Sequence, residues 1–199
     1  MQTLIIFLTI ILMCSMIGRV FVSVQNRIKI ARIRKQIRLK GGFISKNTKL
    51  VISGDFQFGH NLVVSGEGIE NVTRSQVVIL PQSSLVIGDN VGMTQVSITC
   101  KNSITIGSNV KIGAGTMIFD TNFHSTDYRT RRDHNEDLRS ATCAPVVIKD
   151  DVFIGTRCII NKGVVIGERT IIAAGSVVVK SIPSDCIAGG NPATPIRYL

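Results

Sequence analysis

One period dominates this sequence. Aliphatic residues recur every six positions at Ile148, Ile154, Ile160, Ile166, Ile172 and Val178. The next residue is often small (Gly155, Gly167, Ala173). The residue four positions on is small or β-branched (Val152, Cys158, Val164, Thr170, Ser176). A second run has Ile106, Ile112 and Ile118, with Gly107 and Gly113 following, and a weaker third run has Ile52, Phe58 and Val64. Six is neither a helical period nor the two-residue alternation of a strand. It fits a short strand plus a corner, with one aliphatic pointing inward per side. Three such units close a triangular coil of about 18 residues, and stacked coils bury the inward residues as a continuous ladder. Glycine at the corners is expected to supply backbone conformations that other residues resist. Ile and Val supply 50 of the 199 residues, Trp is absent, and Phe and Tyr together number 10. That balance is β-rich and excludes a helix bundle or a disordered chain. The expectation is one all-β solenoid domain over residues 50–199.

The period stops between Ile118 and Ile148. Residues 120–145 hold nine charged residues and two of the three histidines, His124 and His134. A long polar excursion costs ordering entropy and adds nothing to the ladder, so function is its better explanation. By residue type alone His124 is either a general base or a solvent-exposed loop histidine. His60 and His134 read as surface residues. The three histidines are isolated from one another and from any Cys pattern, so no metal site is expected. Cys14, Cys100, Cys143, Cys158 and Cys186 form no CxxC spacing and read as reduced thiols.

These repeats resemble the hexapeptide-repeat acyltransferases, whose fold is a left-handed parallel β-helix. Asp120-Thr-Asn-Phe-His124 is similar to the D-T-[DN]-x-H segment of the sugar O-acetyltransferase branch of that family, which includes colanic-acid, capsule and maltose acetyltransferases. The resemblance implies acetyl-CoA as co-substrate, a saccharide hydroxyl as acceptor, and His124 as the base. The chemistry needs a neutral imidazole near pH 7 to take a proton from a weakly acidic hydroxyl. Asp120 is expected to orient the imidazole, contact the sugar, or make a turn, and Asn122 has the same alternatives. Arg129 is expected either to recognise a hydroxyl or phosphate, or to be solvated in its run with Arg131 and Arg132. The tail IIAAGSVVVKSIPSDCIAGGNPATPIRYL is similar to the family's last coils. It implies Thr156 and Ala174 along the pantetheine arm, and Lys180 and Arg197 on the CoA phosphates. Two departures stand out: Thr194 where the family usually has Lys or Arg, and Cys100 near a usual acidic position. The resemblance also implies a homotrimer with shared sites. A xenobiotic acetyltransferase and a non-catalytic β-helical scaffold are the alternatives.

Charge is uneven. Residues 1–49 carry 10 Lys/Arg and no acid, while residues 50–199 carry 13 of each sign. The basicity belongs to an arm, which gives no reason to expect nucleic acid. Residues 1–18 have no charge, and the apolar run resumes after Arg19. Eighteen to 24 such residues, at about 1.5 Å each, are long enough to cross a hydrocarbon core. The expectation is a membrane anchor helix over residues 1–24, single-pass or interfacial, and a basic juxtamembrane linker over residues 25–49. By the positive-inside rule the β-helix would then lie on the cytoplasmic side of the inner membrane. Such an anchor favours a lipid-linked sugar of surface polysaccharide synthesis as acceptor, with a nucleotide-linked sugar as the other candidate.

Overall fold

The computed structural model describes residues 24–67 and 74–199. The chain divides into two units, residues 1–36 and 37–199. The second holds three parallel sheets wound as a three-sided β-helix. The first sheet runs through Phe43–Ile44, Val63–Ser65, Gly92–Thr94, Lys111–Ile112, Phe153–Ile154, Ile171–Ile172 and Cys186–Gly190. It ends in an antiparallel strand, Ala193–Tyr198. The second runs through Lys49–Ile52, Gln76–Ile79, Ser97–Cys100, Met117–Phe119, Ile159–Ile160 and Val177–Val178. The third runs through Asp55–Phe58, Ser84–Ile87, Ser103–Ile106, Val146–Ile148 and Val165–Ile166. The chain visits the sheets in rotation, so each coil lays one strand on each.

The six-residue period is the register of this stack. Ile148 pairs with Ile166, Ile154 with Ile172, and Ile160 with Val178. All six of these side chains are fully buried, as are Val152, Cys158, Val164 and Thr170 between them. The buried hydroxyls have partners: Thr170 Oγ1 donates to the Pro183 carbonyl at 2.7 Å and Thr116 Oγ1 to that of Gly155 at 3.0 Å. In the third run Ile52 and Val64 are buried, while Phe58 is half-buried and packs its ring on Phe56 at 5.1 Å.

Corner glycines serve in two ways: Gly115, Gly163 and Gly175 take the expected positive φ, between 73° and 76°, and others do not. Gly113 and Gly155 do not have positive φ. A Cβ on Gly155 would lie 2.6 Å from the Ala174 nitrogen, and one on Gly113 would lie 2.7 Å from the Thr156 nitrogen. Glycine is required there because the next coil's backbone passes too close for a side chain. The left-handed conformation falls two residues later, on Asn109, Arg157 and Arg169, with φ between 56° and 60°. Asn tolerates that region better than most residues.

The N-terminal expectations are corrected. The anchor expected over residues 1–24 falls, except for Val24, outside the described residues. A helix runs over residues 24–39 with six Lys/Arg among sixteen residues. Each such charge costs about 2.5–3.5 kcal/mol at the centre of a membrane helix. Among the described residues no helix is long and apolar enough to cross a membrane. The inner-membrane location and membrane partner expected from the sequence are therefore not supported. The stretch 25–49 contains most of this helix, which Gly41 ends at φ +80°, and the first coil already begins within it at Phe43–Ile44.

Candidate active site

The interruption leaves the stack between Met117–Phe119 of the second sheet and Val146–Ile148 of the third. Its neck is a short antiparallel pairing. The Ala144 N–H donates to the Asp120 carbonyl at 3.0 Å, Thr121 bridges Cys143, and the Asn122 N–H donates to the Thr142 carbonyl at 3.0 Å. Beyond the neck lie a 3-10 turn at Thr130–Arg132 and a helix, α2, at His134–Ser140, α1 being the helix over 24–39. The Asp133 carboxylate caps α2 by accepting from the N–H groups of Asn135 and Glu136, each at 2.9 Å. Lys101 Nζ donates to the Leu138 carbonyl at the other end of α2 at 2.9 Å, a cation where the helix dipole favours one.

This arrangement brings Asp137 to His124. The Asp137 Oδ2 atom lies 2.6 Å from Nδ1 of His124, and Oδ1 accepts from the Ser125 N–H at 2.7 Å. The imidazole is 67% exposed while the Asp137 side chain is only 7% exposed. The hydrogen bonds from His124 and then from Ser125 hold the Asp137 carboxyl below the usual carboxylate range, against its burial. An ionised carboxylate only accepts hydrogen bonds, so Nδ1 carries the proton of the neutral ring. That leaves Nε2 bare and directed away from its carboxylate partner. Arg131 braces the turn by donating from Nη1 to the Ser125 carbonyl at 2.6 Å. Phe123, directly before the histidine, has φ 62°, its N–H donates to Thr121 Oγ1, and its ring lies 5.5 Å from that of Phe119. Positive φ at a bulky residue is unfavourable, and here the neck enforces it.

The other expected residues are dispersed. Asp120 does not face the imidazole. Its carboxylate is fully buried and accepts from the N–H groups of Lys101 at 2.8 Å and Asn102 at 2.7 Å, so it fastens the neck to the preceding coil. The orienting carboxylate is instead Asp137. Asn122 donates from Nδ2 to Thr142 Oγ1 at 3.1 Å and closes the neck. Cys100 is buried inside the coil, and burial with the nearby Asp120 charge pushes its thiol up to about 11. His60 is an exposed partner of Asp89 at 3.4 Å. Arg129 is exposed beside Tyr128.

Thr156 and Ala174 stack on one corner, between the first and second sheets, with the Gly175 N–H donating to the Thr156 carbonyl at 2.8 Å. A Cβ on Gly175 would meet nothing within 4 Å, so this corner faces open space. Lys180 follows Val177–Val178, on the corner between the second and third sheets from which the His124 loop also leaves. Arg197 lies opposite Ile187 on the terminal strand. Within one chain the second sheet thus separates the Thr156–Ala174 corner from the loop that carries His124. Among the described residues no group of three or more His, Cys, Asp or Glu is placed to hold a metal ion.

Among the described residues, coils of period six carry a His–Asp pair on a long excursion. Residues 145–180 match the family model for the bacterial transferase hexapeptide (six repeats). Over that stretch the chain is similar to hexapeptide-repeat transferases. It is 44% identical over 55 residues to the galactoside O-acetyltransferase of Escherichia coli, covering 28% of this chain and 27% of that protein. It is 40% identical over 62 residues to the 2,3,4,5-tetrahydropyridine-2,6-dicarboxylate N-acetyltransferase of Clostridium perfringens, covering 31% and 26%. The aligned stretches therefore span about a quarter of these relatives. Over a longer range it is similar to a hexapeptide-repeat-containing acetyltransferase of Vibrio cholerae. That likeness has 29% identity and a TM-score of 0.53, and covers 86% of this chain and 93% of the other.

Proposed function

We propose that the protein is an acetyl-CoA-dependent O-acetyltransferase acting on a saccharide hydroxyl, with His124 as general base. The observation that carries this reading is the 2.6 Å pair between His124 Nδ1 and the buried Asp137, which leaves Nε2 unpartnered on an exposed loop. His124 Nε2 takes the acceptor's hydroxyl proton as the oxygen bonds to the acetyl carbonyl carbon. It returns that proton to the sulfur, which leaves with the electron pair of the broken C–S bond. Asp137 holds the tautomer and balances the positive charge that develops on the ring. The open corner at Thr156 and Ala174 suits a thin pantetheine arm, with Lys180 and Arg197 as cations for the phosphates. The galactoside enzyme among the relatives favours a saccharide acceptor. A nucleotide-linked sugar for surface polysaccharide is the acceptor that this reading keeps, whereas a lipid-linked acceptor had its argument only in the anchor.

The catalytic loop and the pantetheine corner occupy different corners of one chain. We infer a homotrimer of left-handed β-helices, in which one chain's His124 meets acetyl-CoA lying on its neighbour's corner. A non-catalytic scaffold has no use for a buried carboxylate aimed at an exposed imidazole. Calorimetry with acetyl-CoA, followed by thiol release in the presence of saccharides, tests the reading. It requires binding, and acetyl transfer that falls in His124→Asn; absence of acetyl-CoA binding would sink it. Mixed trimers of His124→Ala and Arg197→Ala chains should regain activity if the sites are shared.

A further inference from the structure

The loop's acidic groups are all engaged, and two of its arginines have no carboxylate partner among the described residues. Asp120 holds the Lys101 and Asn102 N–H groups, Asp127 accepts from the Arg129 N–H at 2.9 Å, and Asp133 caps α2. Glu136 pairs with Arg139 at 2.8 Å, and Asp137 serves His124 and Ser125. Of the four loop arginines, Arg139 is spent on Glu136 and Arg131 on the Ser125 carbonyl. The guanidiniums of Arg129 and Arg132 instead converge on one ring. Their central carbons lie 5.4 and 5.5 Å from the Tyr128 ring centroid, and Arg129 Nε donates to the Tyr128 hydroxyl at 3.2 Å. All three side chains are exposed. Each guanidinium lies over the ring, whose negative face attracts a cation, and neither has a carboxylate partner among the described residues. Planar guanidiniums match phosphate or carboxylate oxygens, so an anion would complete the pairing.

This cluster belongs mechanically to the catalytic loop. Tyr128 is four residues from His124. Arg132 lies in the turn that Arg131 ties to the carbonyl of Ser125, the residue whose N–H shares Asp137 with the imidazole. Resting on the acetyltransferase reading above, we infer that Arg129, Arg132 and Tyr128 form a subsite for an anionic group on the acceptor. The acceptor is a saccharide bearing a phosphate or a carboxylate, and these residues select it over neutral sugars.

The test compares three probes as acceptors of acetyl groups from acetyl-CoA: galactose 1-phosphate, galacturonate and methyl galactoside. The inference requires a KM for at least one anionic probe roughly tenfold below that for methyl galactoside. Arg129→Gln with Arg132→Gln should erase that advantage while leaving the KM for acetyl-CoA unchanged. Which anionic probe gains tells phosphate from carboxylate. Added salt should shrink the advantage, because the cluster is exposed. Equal KM values for all three probes, or a preference that survives the double substitution, would overturn the inference while leaving the acetyltransferase reading intact. A raised KM for acetyl-CoA in the double variant would assign the arginines to the donor and overturn it as well. Acetyl-CoA binding without transfer to any probe would overturn the inference.

Discussion

The coils over residues 146–178 and the excursion over residues 120–145 are held together in opposite ways. In the coils every sixth side chain is a buried aliphatic, and removing any one leaves a cavity between layers that cannot collapse. In the excursion His134–Ser140 buries only Asp137, and Leu138 is left 46% exposed. Its order comes from carboxylates that accept backbone N–H groups or pair with a side chain. The difference teaches where each property resides. Stability should follow the ladder and chemistry should follow the excursion, with little overlap between them.

His124→Ala should show the largest effect. Turnover should fall roughly 10²- to 10⁴-fold, the range for a positioned general base. The melting temperature should stay near native, because the imidazole is mostly exposed. Next comes Asp137→Asn, which keeps the shape but can offer Nδ1 a donor. A drop in kcat of roughly 10- to 10³-fold with little change in acetyl-CoA KM is expected if Asp137 sets the tautomer. A loss confined to melting would make it merely structural. For stability the order reverses. Ile160→Ala should cost about 2–5 kcal/mol in denaturant unfolding and leave the active fraction's turnover unchanged. Gly155→Ala forces a methyl against the Ala174 backbone, so it should cost about 1–3 kcal/mol and also weaken acetyl-CoA binding at that corner. The smallest effect concerns pH. Asp137 has a depressed carboxyl, so its contribution is complete above the ordinary carboxylate pKa of about 3.9 and is lost as pH falls through its lower folded value. Acid should loosen the excursion, read as protease cleavage within 120–145, before the coils unfold.

The ladder was legible because a six-residue repeat leaves a trace at every turn, and each residue's inward direction follows from its phase. His124 was singled out from its local motif. Asp137 was not. It lies thirteen residues beyond His124, across a turn and a capped helix whose path no periodicity encodes. The signal available was Asp133 as an N-cap before a short helical stretch, with Asp137 one turn on. Asp120 attracted attention by nearness in sequence, yet the neck turns its carboxylate back into the coil. Only the first strand of the first coil, Phe43–Ile44, was missed, because Ile44 and Ile52 are eight apart, out of phase with Ile52, Phe58 and Val64. The corner glycines were recognised for only one of their two uses: Gly115, Gly163 and Gly175 do take positive φ, while the close approach of the next coil at Gly113 and Gly155 is not visible along a single chain.

The account's central claim is that Asp137 fixes the His124 imidazole with its proton on Nδ1 and Nε2 free to accept. Nitrogen-15 NMR of the histidine rings reads this directly, with His60→Gln and His134→Gln variants to assign the signal. The account predicts, for the neutral ring, a downfield Nδ1–H proton and an unprotonated Nε2, both changed in Asp137→Asn. A proton on Nε2 with Nδ1 bare in the native protein would contradict it, because that nitrogen could not then take the acceptor's proton.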